Sequence, residues 1–281
     1  MDAGLGGGSL EVKPLSVLVH VVLILICVAL MLPILYMILT AFKPKMLAVL
    51  IPPVWIFSPT LDNFERLFTG TEFLNGFKNS IIIAAVSVPI ATIISAMAGY
   101  ALDRWDFWGK ETVALLFLAV WMFPAIALVI PLFMIHQALG LLNTHIGIIL
   151  VYIYGEAGLA IWLMRTYFSA IPREIDEAAR LDGHSAFGAF FKVILPLNRS
   201  GVASTALILL MLIWNDFLVA YILTRSAVRP LIPVIAGFIG FHGVDIGLMT
   251  AAGFLSSLPV LVIALLIQKE LVKGFTFGAI R

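Results

Sequence analysis

One cysteine, Cys27, stands in the 281 residues, inside an apolar run, so neither an intramolecular disulfide nor a cysteine zinc site is open to this chain and no redox compartment is read from it. Charge is scarce: 12% of residues are Asp, Glu, Lys or Arg, against about a quarter in an ordinary soluble domain. The 17 basic and 16 acidic residues leave a formal net charge of +1 and are scattered, which excludes the basic face that a nucleic-acid partner needs. There is no Gly-x-x-x-x-Gly-Lys-Ser/Thr phosphate loop, so any ATP must be bound by another chain. No His-Glu-x-x-His, Ser-His-Asp or paired-acid motif argues for a membrane-embedded enzyme either.

What is abundant is apolar: 62% of the chain is hydrophobic. Residues 1–14, with Gly6-Gly7-Gly8, read as a flexible tail, and 15–281 as a single transmembrane domain. Apolar runs at 15–42, 80–102, 112–135, 145–168, 202–223 and 247–268 each approach or exceed the roughly 20 residues that cross a bilayer as helix. The expected fold is all-α and polytopic, with about six transmembrane helices. Pro33, Pro89, Pro124, Pro131 and Pro259 are expected to kink their spans, with Pro124 and Pro131 near one face of the third. With the amino terminus inside, Lys13, Arg104, Lys110, Arg165, Arg173, Arg180, Lys192, Arg199, Lys269, Lys273 and Arg281 fall on inside segments. Lys43, Lys45, Arg66, Lys78, Arg225 and Arg229 fall outside, so the positive-inside bias favours both termini in the cytoplasm.

The longest polar interruption among the spans is 171–196, IPREIDEAARLDGHSAFGAFFKVILP. Pro172 fits a helix start, Gly183 a helix end, Ser185 the cap of a second helix and Pro196 its stop. Ala178 and Ala179 allow close approach of a partner, while Glu177, Arg180 and Asp182 fix register. Phe187, Phe190, Phe191 and Ile194 recur at helical spacing and are expected to form one apolar face. Such an element suits docking better than catalysis.

Glu177-Ala178-Ala179, then Asp182-Gly183, then Ile194-Leu195-Pro196 resembles the EAA loop of ABC importer permeases. Within that class the chain is similar to carbohydrate-uptake permeases of the maltose-transporter type. The resemblance extends to Trp214-Asn215-Asp216-Phe217, to the stretch from Pro52-Pro53 to Asn63-Phe64, and to the tail from Val272 to Ala279. Ser200 departs from it, standing where such permeases often have proline after the Leu-Pro-Leu. The resemblance implies a type I importer fold in a bacterial or archaeal cytoplasmic membrane. It implies that 170–200 is a cytoplasmic loop docking into an ATPase subunit through Glu177, Ala178, Ala179, Asp182, Gly183, Phe187, Phe190, Leu195 and Pro196. The implied partners are a second permease, two ATPase subunits that carry ATP and Mg, and an extracytoplasmic binding protein, with no cofactor in this chain.

Two further segments face outside in this topology. Residues 43–79 hold Pro52-Pro53 and Trp55, and 46–57 are apolar enough to rest at the membrane interface. Residues 225–246 hold Gly237, Gly240, Phe241, His242 and Gly243, a plausible finger against a soluble protein, a role that the resemblance favours. Inside the spans, a carboxylate costs at least about 2.5 kcal/mol at bilayer depth, so Glu156, beside Tyr152, is expected to face a wet pathway or a partner. Trp214, Asn215 and Asp216 combine an aromatic face with hydrogen-bonding groups, which suits either a sugar or a contact between two permeases. A proton-coupled transporter using Glu156 and Asp216 as relays is the alternative; it leaves the 171–196 segment unexplained.

Overall fold

The computed structural model describes residues 14–240 and 243–277. Helix α1 (Pro14–Ala41) leads to the short α2 (Lys45–Ala48) and α3 (Asp62–Gly70), and then to the long α4 (Phe73–Arg104). Next come α5 (Lys110–Trp121), α6 (Ala125–Ala138), α7 (His145–Gly155) and α8 (Ala157–Ser169). The 171–196 segment contains α9 (Arg173–Leu181), α10 (Ala186–Ala189) and a π turn (Phe190–Ile194), and runs into α11 (Leu195–Leu197). The chain finishes with α12 (Arg199–Asn215), α13 (Leu218–Leu223), α14 (Leu231–Ala236), strands β1 (Ile239–Gly240) and β2 (Gly243–Val244), and α15 (Ile246–Phe277). The two strands pair antiparallel, Ile239 with Val244 and Gly240 with Gly243. The sequence tail 1–13 and residues 278–281 lie outside the described residues; 272–277 continue α15 as helix.

Three helices, 16–41, 73–104 and 246–270, are long and apolar enough to cross a membrane unbroken, and there are up to six crossings if each bent pair counts as one. In the expected third span α5 and α6 meet at 90°, and in the fourth α7 and α8 meet at 45°. Pro124 therefore breaks its span instead of kinking it: it has no N–H to donate and takes an extended ψ of 121° immediately before α6. Pro131 lies inside α6, beyond that break, so the two prolines do not share one helical face. The fifth span is interrupted as well: α12 stops where Asp216 takes an extended ψ of 128°. Pro33, Pro89 and Pro259 remain inside unbroken helices.

Helix α4 is the hub. It packs on α7, α8, α12 and α14, while α12 and α1 pack on α15. One core joins Phe73 and Ala84 of α4 to Leu207 and Trp214 of α12, Leu231 of α14 and Ala251 of α15. Another sits at the opposite end of α4, where Ala96 and Tyr100 meet Met164 and Phe168 of α8 and Phe190 and Ile194 of the π turn. Along α1 the apolar side chains are exposed, Leu25 by 62%, a surface stable only against lipid or another apolar protein. Exposed Met46, Ile51, Trp55 and Ile56 have the same property in the first connection. Lys43, by contrast, is no solvated loop charge: it is buried, with its ammonium 4.4 Å from the Tyr36 ring centroid and 5.5 Å from that of Phe57.

Candidate docking and pathway sites

In the 171–196 segment, helix α9 begins just after Pro172 and ends in a Schellman turn. His184 N–H donates to the Ala179 carbonyl at 3.1 Å and Gly183 N–H to that of Arg180 at 3.0 Å. Gly183 has φ +88°, a left-handed conformation that explains its glycine. A Cβ there would meet nothing within 4 Å, so any substitution acts through backbone strain or through a partner. Ser185 caps α10, its hydroxyl accepting Gly188 N–H at 3.2 Å. Pro196, however, does not stop the second helix, which continues through Leu197. The proline ring would clash with the carbonyl four residues back, at Lys192, and that residue lies in the wider π turn.

The four apolar residues do not share one face. Phe190 and Ile194 are buried against the bundle, whereas Phe187 is 65% exposed and stacks on exposed Phe191 with centroids 6.3 Å apart. Leu181 is 89% exposed at the end of α9. Glu177, Ala178, Asp182, Gly183 and Pro196 are exposed too, Leu195 is half-buried, and Ala179 is buried. The outward surface thus mixes the large apolar side chains of Leu181, Phe187 and Phe191 with charge, and the inward one carries Ala179, Phe190 and Ile194.

Asp176 holds α9 in place, a role invisible in the sequence because its partners lie more than 70 positions away. The buried carboxylate accepts Tyr100 O–H and, at 2.8 Å, Arg104 Nε–H. Arg104 also donates to Asp103 at 2.6 Å and to the Ile171 carbonyl at 2.9 Å. Arg173 reaches the Asp103 carbonyl at 2.9 Å. An open cleft of about 160 Å³ borders this joint, lined by Tyr100, Trp105, Glu177 and Arg180. Nearby, Asp106 titrates below the usual carboxylate range because Lys110 donates a hydrogen bond to it and adds its charge, with Arg173 contributing further.

The pathway candidates separate into distinct roles. Glu156, half-buried at the α7/α8 break, accepts Trp121 Nε1–H at 2.9 Å. Tyr152, buried, donates to Asp216 at 2.9 Å, and the same Asp216 oxygen accepts Ala220 N–H at 2.9 Å. From one residue before the N-cap Phe217, Asp216 thereby satisfies a free N–H in the first turn of the restarted helix α13, a structural use that its position in a supposedly continuous span did not reveal. Trp214 is turned into the core, 6% exposed, its Nε1–H on the Ser256 carbonyl at 3.0 Å and its ring edge-on to Phe77. It offers no aromatic platform beside Asn215, which is exposed and bonds its own helix at the Met211 carbonyl.

At the far end, 225–246 is only partly a finger. Its middle, α14, is buried through Leu231, Pro233, Val234 and Ile235 against α4. Gly237 caps α14, Gly240 and Gly243 form the β1/β2 pair, and Phe241 and His242 lie outside the described residues. Asp245 anchors the base: it pairs with Arg66, lies 3.4 Å from Lys45 and accepts Leu248 N–H at 3.1 Å. Partial burial pushes its carboxyl up, but the Arg66 hydrogen bond, the Leu248 N–H and the two positive charges outweigh burial and hold it below the usual range.

Residues 91–275 match the family described as binding-protein-dependent transport system inner membrane component. This chain belongs to that family. The permease is 36% identical over 253 residues to the trehalose transport system permease protein SugB of Mycobacterium tuberculosis, covering 83% of this chain and 92% of that one. It is 34% identical to the trehalose/maltose transport system permease protein MalG of Thermococcus litoralis, covering 92% and 94%. Its fold matches a crystal structure of a bacterial ABC transporter involved in alginate import with a TM-score of 0.75 at 23% identity, over 93% of this chain and 98% of that one. The all-α, multi-pass expectation holds for the permease, and the resemblance to ABC importer permeases is upheld. The proton-coupled alternative is not favoured.

Proposed function

We propose that this permease is one of two membrane subunits of an ATP-driven, binding-protein-dependent importer of a sugar, oligosaccharide or polyol. The sugar reading is supported by the trehalose and maltose permeases to which the chain is similar. In this reading the 171–196 segment faces the cytoplasm with both termini and seats in an ATPase subunit that carries ATP and Mg. The 225–246 segment faces a binding protein. ATPase closure moves α9, and the broken spans exchange an inward-open for an outward-open pathway.

The observation that carries the coupling role is the pair Leu181 and Phe187, 89% and 65% exposed on a charged segment whose other face is packed. Large apolar side chains on such a surface mark a protein contact. Replacing both with Asp is expected to abolish co-purification of the ATPase while the permease still inserts and folds. Full retention of the ATPase and of uptake in that variant would overturn the docking assignment.

The transport role given to the intramembrane acids is narrower. Glu156 is half-buried and, among the described residues, accepts a hydrogen bond from Trp121 alone, so it retains acceptor capacity for a hydroxyl of a passing substrate. Glu156→Gln is expected to change sugar uptake with little effect on folding, because a neutral amide costs less to bury than a carboxylate. Unchanged uptake in that variant would remove Glu156 from the pathway.

A further inference from the structure

Helix α4 is 32 residues long, about 48 Å at 1.5 Å per residue, and is bonded near its two ends to the 225–246 and 171–196 segments. At one end Asn79 Nδ2 donates to the Ala227 carbonyl at 3.2 Å and to the Arg229 carbonyl at 3.1 Å. Ser80 Oγ accepts Leu231 N–H at 2.8 Å. One turn earlier, Gly76 lets α14 press on the helix: a Cβ there would lie 2.9 Å from Val234 Cγ2 and 3.2 Å from Leu231 Cα. At the other end Tyr100 and Arg104 grip Asp176 of α9, and Arg104 also holds the Ile171 carbonyl. The Tyr100 ring completes the joint, 4.9 Å from Phe190 and 5.6 Å from Phe168.

Between these joints α4 continues as one helix through Pro89, while the spans it packs on most closely are interrupted, α7/α8 by 45° and α12/α13 at Asp216. A hydrogen-bonded helix tilts as a body, so displacing one end displaces the other, whereas a broken pair absorbs the same motion at its hinge.

We propose that α4 is the strut by which a partner bound at 225–246 is sensed at 171–196, with Asn79 and Ser80 as positioning residues at one joint and Tyr100, Arg104 and Asp176 at the other. This rests on the functional reading above, in which the two segments face the binding protein and the ATPase. The joints couple the segments only if both are intact, so breaking either disconnects the same route, and breaking the second adds nothing.

The test uses the complete importer in lipid nanodiscs and reads ATP hydrolysis without and with saturating binding protein. Asn79→Ala and Asp176→Asn are each expected to leave the basal rate near wild type and to lower the stimulation by about five-fold or more. The double variant should be no worse than the more affected single one. A purely structural role would lower assembly and melting temperature without changing the ratio of stimulated to basal rate. Should Asp176→Asn fail to assemble, Tyr100→Phe and Ser80→Ala keep the packing and remove one hydrogen-bonding group each, with the same ratio as readout. Normal stimulation in stable variants at either joint, or losses that multiply in the double variant, overturns the strut. A wild-type complex without stimulation overturns the functional reading and the strut together; a stimulated wild type with unaffected variants overturns the strut alone.

Discussion

The 171–196 and 225–246 segments are held to α4 by different chemistry. At 171–196 the joint is ionic, one carboxylate shared between Tyr100 and Arg104 in a site where the Arg104 and Asp176 side chains are 6% and 9% exposed. At 225–246 the joint is neutral: Asn79 and Ser80 satisfy backbone groups of a stretch in which Pro230 and Pro233 preclude a regular ladder. A buried ionic joint is costly to break from one side, because the surviving Arg104 and Tyr100 lose a hydrogen-bonded carboxylate in a desolvated site, with Asp103 left to Arg104. A neutral joint degrades gently. The contrast makes the α9 joint the stiffer of the two.

The sharpest way to break the comparison is Asp176→Ala, which leaves Tyr100 O–H unpaired and Arg104 with Asp103 as its remaining carboxylate. A loss of about 3 kcal/mol is expected, the lower end for removing one partner of a buried ion pair. Denaturant unfolding in detergent checks it, and a loss below that of Asn79→Ala would erase the distinction between the joints. Asn79→Ala should cost roughly 2 kcal/mol, since two carbonyls lose their donor. Gly183→Leu should cost about 1 to 2 kcal/mol, confined to α9 and α10, because it forces a side chain into left-handed φ without a clash. Local hydrogen exchange in α9 would rise, and exchange in α4 would not.

The smallest effect is acid sensitivity at the base of the 225–246 segment. Asp245 has its folded pKa depressed, so its contribution is fully present above the unfolded carboxylate value of about 3.9 and is lost as pH falls through the folded value. Asp245→Asn should therefore flatten the acid limb of the stability curve below about pH 4. High salt should weaken the link to Lys45, whose side chain is 67% exposed, and spare the buried Asp176 joint. Equal salt sensitivity at both ends would contradict the distinction in burial.

Much of the 171–196 segment was legible because its signals are local: Ser185 caps from a position three residues before its donor, and Gly183 needs only its own φ. The Phe187, Phe190, Phe191 and Ile194 face was misread because a π turn shifts the angular phase between residues, so 3.6-residue periodicity assigned Phe187 and Phe190 to one side. The same turn concealed how Pro196 is tolerated. Apolar runs located the spans but not their breaks, since hydropathy is blind to a 90° bend at 122–124 or to Asp216 accepting an N–H of the first turn of α13. Nothing local distinguishes Asp176 from Glu177 next to it: the exposed acid is the one in the recognisable motif, and the buried one is identified only by residues 72 and 76 positions away. Asn63 and Lys43 were likewise unreadable as core, where Asn63 Nδ2 bonds the Ala41 carbonyl at 2.9 Å and that of Lys43 at 2.8 Å.

Sidedness is checked in a Cys27→Ser background with a membrane-impermeant thiol reagent. Cysteines at Leu61 and Ser226, both exposed in the structure, are expected to react from outside, and one at Ser185 only after the membrane is opened. Outside labelling at Ser185 would place the 171–196 segment on the wrong side for an ATPase.

The most direct measurement is sugar uptake into proteoliposomes that contain this permease, with a trehalose- or maltose-type sugar bound to its binding protein outside and ATP enclosed or omitted. The account predicts uptake only when ATP, the ATPase and the second permease are all present, and its loss in the Leu181→Asp, Phe187→Asp variant. Uptake by this chain alone, driven by a proton gradient and indifferent to ATP, would contradict it.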